Sequence, residues 1–215
     1  MQRIVFITLA FLVTLSAIAQ ESITPDQLWS AMLQGNRQFV GGKIVYDNLK
    51  AERELLKDGQ LPPITVLACS DSRVPPELVF NQSLGGLFVI RTAGNVADDF
   101  GLASIEFALS KGWTKLIVIL AHEDCGAVKA SLGGADPSTA PLNALAKRIR
   151  SSFAGIPYDS VDKANVRKAT EANARASAAQ LLAGSIMVRD AALTDRIKIV
   201  TAYYELASGE VKKVD

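Results

Sequence analysis

Short, almost unbroken apolar runs recur along the chain, separated by stretches whose apolar residues fall at helical spacing. Ile64–Ala68, Leu87–Ile90 and Leu116–Ala121 are too short for buried helices and predict strands covered on both faces. Before the first of them, Thr24-Pro25-Asp26-Gln27 has a capping-box pattern and opens a helix to Val40 with Leu28, Trp29, Met32, Leu33 and Phe39 on its apolar side. Residues 50–58 predict a second, charged helix ending at Gly59, and Leu61-Pro62-Pro63 forms a rigid lead-in to the first strand. Val74-Pro75-Pro76-Glu77 restarts a turn or helix. Residues 99–111 predict a helix with Leu102, Ile105 and Leu109 as its apolar face, Phe107 off to one side and Gly112 as its stop. Further helices are expected over 126–132, 142–152 and about 161–183, the last Ala-rich, polar and partly exposed, with a loop over 133–141. Residues 197–206 and 210–214, split by Ser208-Gly209, predict a closing hairpin or a strand with a tail. Strands alternating with helices give one α/β domain with a mostly parallel central sheet flanked by helices.

The N-terminus departs from this pattern. Arg3 is followed by a nearly continuous apolar run from Ile4 to Leu15 and then by Ala17-Ile18-Ala19, the small-x-small sequence of a signal-peptidase site. Residues 1–19 are therefore expected to be a signal peptide cut after Ala19, leaving 20–215 as a single catalytic-sized domain that is exported, periplasmic or secreted. No later apolar run approaches the roughly 20 residues of a membrane span, so no membrane association is expected after cleavage.

Composition narrows the field. With 49% hydrophobic residues in 215, disorder is excluded, and two cysteines cannot staple a fold of this size. Lys+Arg at 23 against Asp+Glu at 22 leaves no phosphate-tracking charge, so no nucleic-acid partner is expected.

Two polar clusters end buried strands, where functional groups of parallel sheets gather. Cys69-Ser70-Asp71-Ser72-Arg73 follows the first strand, and His122-Glu123-Asp124-Cys125 follows the third, so both cysteines and the single histidine share one sheet edge. Two thiolates and an imidazole suit zinc and leave a fourth position open. His122 and Cys125, three apart, can reach one ion from a strand-to-helix turn that Gly126 lets close tightly. Export leaves a second possibility open, a Cys69–Cys125 disulfide.

Together these clusters resemble the two signature motifs of the β-class carbonic anhydrases. Leu33–Phe39 is similar to that family's Gly-Asn-x-x-Phe helix, Phe88–Asn95 to its Arg-x-Ala-Gly-Asn segment, and Ile199–Val211 to its last strand and turn. The resemblance implies that Cys69, His122 and Cys125 bind Zn2+ and that zinc-bound hydroxide converts CO2 to bicarbonate and a proton, reversibly. It implies that Asp71 and Arg73 are a catalytic pair in which Arg73 holds Asp71 off the metal. Gln60, Phe88, Phe107 and Gly126 are implied as substrate-binding residues in a plant-like pocket, although Phe107 stands where the family usually has Tyr. Val66 replaces the Trp of a branch that traps inhibitory bicarbonate, and only Arg91 of that trio is kept. His122 being committed, buffer, water chains or a carboxylate such as Asp99 or Glu106 must carry protons. The family resemblance also implies a homodimer or tetramer, with the helix around Trp29 and Phe39 embracing the partner or packing on its own subunit. Hydrolysis of a CO2 analogue such as carbonyl sulfide or carbon disulfide, a non-catalytic zinc- or anion-binding role, and a metal-free disulfide protein are the alternatives.

Overall fold

In a computed structural model that describes residues 23–44, 46, 48–134 and 138–214, the three expected strands lie side by side and form one flank of a five-stranded sheet. In chain order the strands are β1 (Ile64–Cys69), β2 (Leu87–Thr92), β3 (Leu116–His122), β4 (Lys198–Tyr204) and β5 (Val211–Lys213). Their spatial order is β2-β1-β3-β4-β5, with the first four parallel and β5 antiparallel to β4. The expected closing hairpin is this β4–β5 pair. The leader expected over 1–19 lies outside the described residues. Among the described residues, no helix is long and apolar enough to cross a membrane.

Among the described residues, eight α-helices surround the sheet: α1 (Pro25–Val40), α2 (Leu49–Leu56), α3 (Pro76–Val79), α4 (Asp99–Ser110), α5 (Gly126–Leu132), α6 (Ala140–Arg150), α7 (Lys163–Gly184) and α8 (Ile186–Leu193). Every residue of β1 and β3 is buried. Along β3, Leu116, Val118 and Leu120 face one core with Leu28 and Met32 of α1 and Val79 of α3. Ile117, Ile119 and Ala121 face the other, with Ile105 of α4, Leu181 of α7 and Val188 of α8. This period of two, apolar on both sides, is why the strand carries no polar residue before His122. Each such aliphatic side chain contributes about 1.5–3 kcal/mol by leaving water.

Two residues explain the Gly35-Asn36 pair in α1. A Cβ on residue 35 would lie 2.0 Å from the Phe80 carbonyl oxygen, so only glycine lets α1 approach the end of α3. The buried Asn36 amide donates to the carbonyls of Val79 and Gly209 at 3.0 and 2.8 Å and accepts from the Val211 amide at 2.9 Å. One side chain thus ties α1 to α3 and to the β4–β5 turn. Trp29 and Phe39 are part-buried against the same subunit's core.

Because β1 and β3 are adjacent and parallel, their carboxyl ends open on one edge of the sheet. A third apolar cluster closes over that edge, built from Val96, Val128, Leu132, Ile149, Phe153, Val166 and Ala169 around Cys69 and Cys125. The sheet delivers the polar clusters, and α5, α6 and α7 roof them.

Candidate metal centre

Cys69 is the last residue of β1 and His122 the last of β3. After His122 the backbone reverses through Asp124, which adopts a left-handed φ of 53°, and Cys125 becomes the N-cap of α5. That reversal turns the Cys125 thiol back towards Cys69, with the two sulfurs 4.0 Å apart. Both are free thiols, so the described structure contains a dithiol where a disulfide had been an open alternative. The imidazole and the two sulfurs place their donor atoms within 4.8 Å of one another, a spread that a single tetrahedral ion with metal–sulfur bonds of about 2.3 Å spans after small side-chain adjustments.

The histidine shows how such an ion fits. Its Nδ1 lies 2.8 Å from the Glu123 carbonyl oxygen, an acceptor that requires the proton on Nδ1. Nε2 is then left to act as a ligand, and among the described residues it is fully buried without any hydrogen-bond partner. An unpartnered buried nitrogen is costly unless something binds it. Here it faces two thiols.

The thiols behave as a unit. Hydrogen bonding with Cys125, then the neighbouring His122 and the Asp71 and Gly94 amides, pulls Cys69 down to about 4 against the opposing effect of burial. The same bond to Cys69, together with burial, pushes the Cys125 thiol up. The two shifts run in opposite directions, so Cys69 gives up its proton more readily than Cys125, and a bound cation would displace the protons of both. The Gly94 amide donates to Cys69 Sγ at 3.3 Å.

Asp71 sits beside this cluster in a bidentate fork. Arg73 donates from Nε to Oδ1 at 2.9 Å and from Nη2 to Oδ2 at 2.7 Å, and its backbone amide adds a third bond to Oδ1 at 2.9 Å. The guanidinium holds the Asp71 carboxyl well below the usual carboxylate range. Asp71 Oδ2 lies 3.9 Å from His122 Nε2, close to the donor cluster yet turned to Arg73.

Arg91 braces the whole loop. It donates from Nε to the Cys69 carbonyl at 3.0 Å and from Nη2 to the Asp71 carbonyl at 2.5 Å. Sequence reasoning had noted Arg91 only as the remnant of an anion trap. Its alternation on β2 next to Ala68 of β1, with no side-chain acid in reach along the strand, was the available signal for a backbone-carbonyl partner. Gly126 is exposed, and a Cβ there would meet nothing within 4 Å, so the backbone beside the thiols borders open space.

The remaining expected site residues lie elsewhere in this chain. Gln60 precedes β1 and is exposed in a shallow groove with Leu56 and Leu84. Phe88 and Phe107 both pack on Trp113, with ring centroids 6.1 and 5.6 Å away. All three belong to the amino-terminal end of the strands. The rise of β1 separates that end from Cys69 by roughly 16 Å. Glu106 is engaged by the Ser185 hydroxyl at 2.5 Å, whereas Asp99 is exposed in the first turn of α4. A groove of about 1040 Å³ flanks the ligand loop on its other side, lined by Glu123, Asp124, Lys129, Arg167, Tyr203 and Glu205, without any of the three metal-binding candidates.

Residues 64–211 match the family described as carbonic anhydrase. The carbonic anhydrase of Mycolicibacterium smegmatis is 35% identical over 197 residues, covering 87% of this chain and 92% of the relative. Carbonic anhydrase 2 of Mycobacterium tuberculosis is 33% identical over 189 residues, covering 86% and 90%. Among solved structures, the Coccomyxa β-carbonic anhydrase in complex with acetazolamide superposes with a TM-score of 0.69 at 25% identity, over 86% of this chain and 85% of that one. A tetrameric β-carbonic anhydrase of Sordaria macrospora gives 0.69 at 22% identity, over 86% and 96%, and shares the fold. A matching family over two thirds of the sequence, relatives similar along nearly their full length, and a Cys-His-Cys edge on this sheet lead to one conclusion: the chain belongs to the carbonic anhydrase family, in its β class.

Proposed function

We propose that the protein catalyses the reversible hydration of CO2 to bicarbonate and a proton, with Zn2+ held by Cys69, His122 and Cys125. The observation that carries this reading is the buried, unpartnered His122 Nε2 facing two thiols beside an arginine-clamped carboxylate. Metal storage would need no such clamp. When bound, zinc supplies a Lewis-acid centre that makes water a nucleophile near neutral pH. The chain's own residues do the rest. Asp71, kept ionised by Arg73, is an acceptor only, so its Oδ2 takes a hydrogen bond from the attacking water and orients a lone pair outward. Arg73 and Arg91 keep that carboxylate and the backbone beneath it from drifting towards the donor cluster. Gly126 leaves room for a linear triatomic substrate, and the apolar roof limits competing water. Stopped-flow proton release from CO2, compared between zinc-loaded protein and Cys125→Ser, tests the reading; equal rates would overturn it.

Gln60, Phe88 and Phe107 support a plant-like pocket completed by a second copy. The edge strand β2 has only one neighbour in the sheet and keeps Leu87–Ile90 half-buried, and α2 has no buried residue while Leu49 and Leu55 are exposed. A second copy laid along this side would cover these groups and bring its Gln60 towards the metal edge. Mixing inactive Cys69→Ser and Gln60→Ala proteins then restores activity in about a quarter of the sites, since half the dimers are mixed and one site in each is intact. No restoration would mean a site built from one chain. Export supports itself on Arg3, the apolar run and Ala17-Ile18-Ala19, and the mass of protein recovered from outside the cytoplasm tests cleavage after Ala19.

A further inference from the structure

The buried face of α7 is polar where an apolar face would be cheaper. Asn165, Thr170, Asn173 and Ser177 are all buried, interleaved with Val166, Ala169, Ala174 and Leu181. Thr170 is accounted for by its own helix, since its hydroxyl donates to the Val166 carbonyl at 2.8 Å. Asn165 donates to the Pro157 and Asp159 carbonyls and so fastens the entry loop. Asn173 and Ser177, one helical turn apart, reach somewhere else. Asn173 Nδ2 donates to the Gly94 carbonyl at 2.6 Å, and Ser177 Oγ donates to the Asn95 carbonyl at 2.9 Å.

Those two carbonyls belong to the 3-10 turn Ala93–Asn95, which leaves β2 and passes over the metal edge. Thr92 closes the turn from below, its hydroxyl donating to the Val96 carbonyl at 2.8 Å, but the Gly94 and Asn95 carbonyls at its crest are met only from α7 among the hydrogen bonds described. Gly94 and Asn95 have successive left-handed φ values of 66° and 46°, a backbone that glycine and, among side-chain-bearing residues, asparagine tolerate best. The Asn95 side chain is buried and makes no hydrogen bond among the described residues, so it does not hold its own turn. Ile149 and Ala127 press on Gly94 from the roof, where a Cβ would come within 2.9 Å of the Ile149 Cδ1. The next peptide back carries the Gly94 N–H, which donates to Cys69 Sγ at 3.3 Å. Fixing the Gly94 and Asn95 carbonyls therefore fixes the direction of that N–H.

We propose that Asn173 and Ser177 are positioning residues of the metal centre: from α7 they lock the Gly94–Asn95 turn so that the Gly94 amide stays bonded to Cys69 and limits how much charge this thiolate gives a bound metal. The inference rests on the metal-binding reading above and extends it to residues some 50 positions beyond the last ligand, which touch neither metal nor substrate. A hydrogen bond to a ligating sulfur withdraws electron density from it, and loss of such an outer contact costs about 10- to 100-fold in metal affinity or activity. Without the clamp the turn swings, the sulfur becomes a stronger donor, and Cys69 is less well fixed.

Full-length mature protein reconstituted with Co2+ in place of Zn2+ reports this directly, because sulfur-to-cobalt charge transfer absorbs in the near ultraviolet. Ser177→Ala and Asn173→Leu each remove one clamp donor. Both variants are expected to move the band to longer wavelength, as for a more electron-rich thiolate, and to release metal to a chelator about 10-fold faster. Leu181→Ala, on the same helix but in the sheet-facing core, is the comparison: it lowers the melting temperature and leaves band and release rate where they were. Should Asn173→Leu not fold, Ser177→Ala decides alone. An unshifted band and unchanged release in folded Ser177→Ala overturn the proposal, as does an equal shift in Leu181→Ala. If the parent protein takes up cobalt without any sulfur band, the ligand assignment itself fails, and the inference fails with it.

Discussion

Removing the Arg73 side chain separates what the Asp71 clamp does for stability from what it does for chemistry. Arg73→Ala deletes two charge-assisted hydrogen bonds, at 2.9 and 2.7 Å, and leaves the backbone bond to Oδ1 in place. The guanidinium is 51% exposed and the carboxylate 17%, so water and salt screen much of the attraction. An ion pair of that exposure contributes about 0–1 kcal/mol to folding. For a chain of this length that lowers Tm by no more than about 2–4 °C. The catalytic effect is larger because position, not charge, is lost. With the fork gone, Oδ2, already only 3.9 Å from His122 Nε2, is free to turn towards the donor cluster and take the place reserved for water. Loss of one preorganised group costs about 100- to 1000-fold in kcat/KM, or roughly 3–4 kcal/mol of transition-state stabilisation. The carboxyl itself rises back towards the ordinary range but stays ionised at neutral pH, so protonation does not explain the loss. Arg73→Lys keeps a charge without the fork and falls between the two. Stopped-flow hydration and thermal melts on the same samples check this. An Arg73→Ala protein with kcat/KM within about threefold of the parent would refute the clamp. So would a loss of activity matched by a Tm fall far beyond the surface-pair range.

Other consequences follow from the same geometry. The two sulfurs, 4.0 Å apart, need only small rotations to bond, so chelator-treated protein exposed to oxidant is expected to form an internal Cys69–Cys125 disulfide while zinc-loaded protein keeps two free thiols. Thiol titration after each treatment decides it, and equal oxidation of both forms would contradict a metal held by both sulfurs. Burial pushes Tyr203 up to about 12, from an unfolded value near 10. Its folded pKa being the higher, the stabilisation is complete below pH about 10 and is lost as pH rises through about 12. Tyr203→Phe should therefore blunt the alkaline limb of a stability–pH profile, and a profile identical to the parent's would count against that assignment.

Cys69 and His122 were legible because each ends a short apolar run, and Cys125 because it follows His122 by three: nothing but a strand fits Ile64–Ala68 or Leu116–Ala121, and parallel strands must open on a common edge. Strand and helix bounds differ from those expected by at most two residues, and α5 begins and ends where Gly126 and Leu132 indicated. What escaped was polar material inside. Asn173 and Ser177 count as surface in any reading of hydropathy, yet they are buried because two backbone carbonyls wait for them. The separate helix α8 was missed beyond Gly184 although Ser185 carries a readable signal, capping it through the Val188 amide at 3.1 Å. The turn over Cys69 was matched by resemblance, but only its left-handed backbone explains why glycine stands there. Gln60, Phe88 and Phe107 could not be placed by sequence relative to the ligands, since the distance along β1 that keeps them apart within one chain is a property of the sheet.

The most direct test of the account is isotopic oxygen exchange between labelled CO2 and water at chemical equilibrium, near neutral pH, on protein carrying one zinc per chain. The account predicts label loss far above that of the chelated protein, restored on reloading with zinc and suppressed in Arg73→Ala. Label loss no faster than buffer, with zinc bound to Cys69, His122 and Cys125, would contradict it.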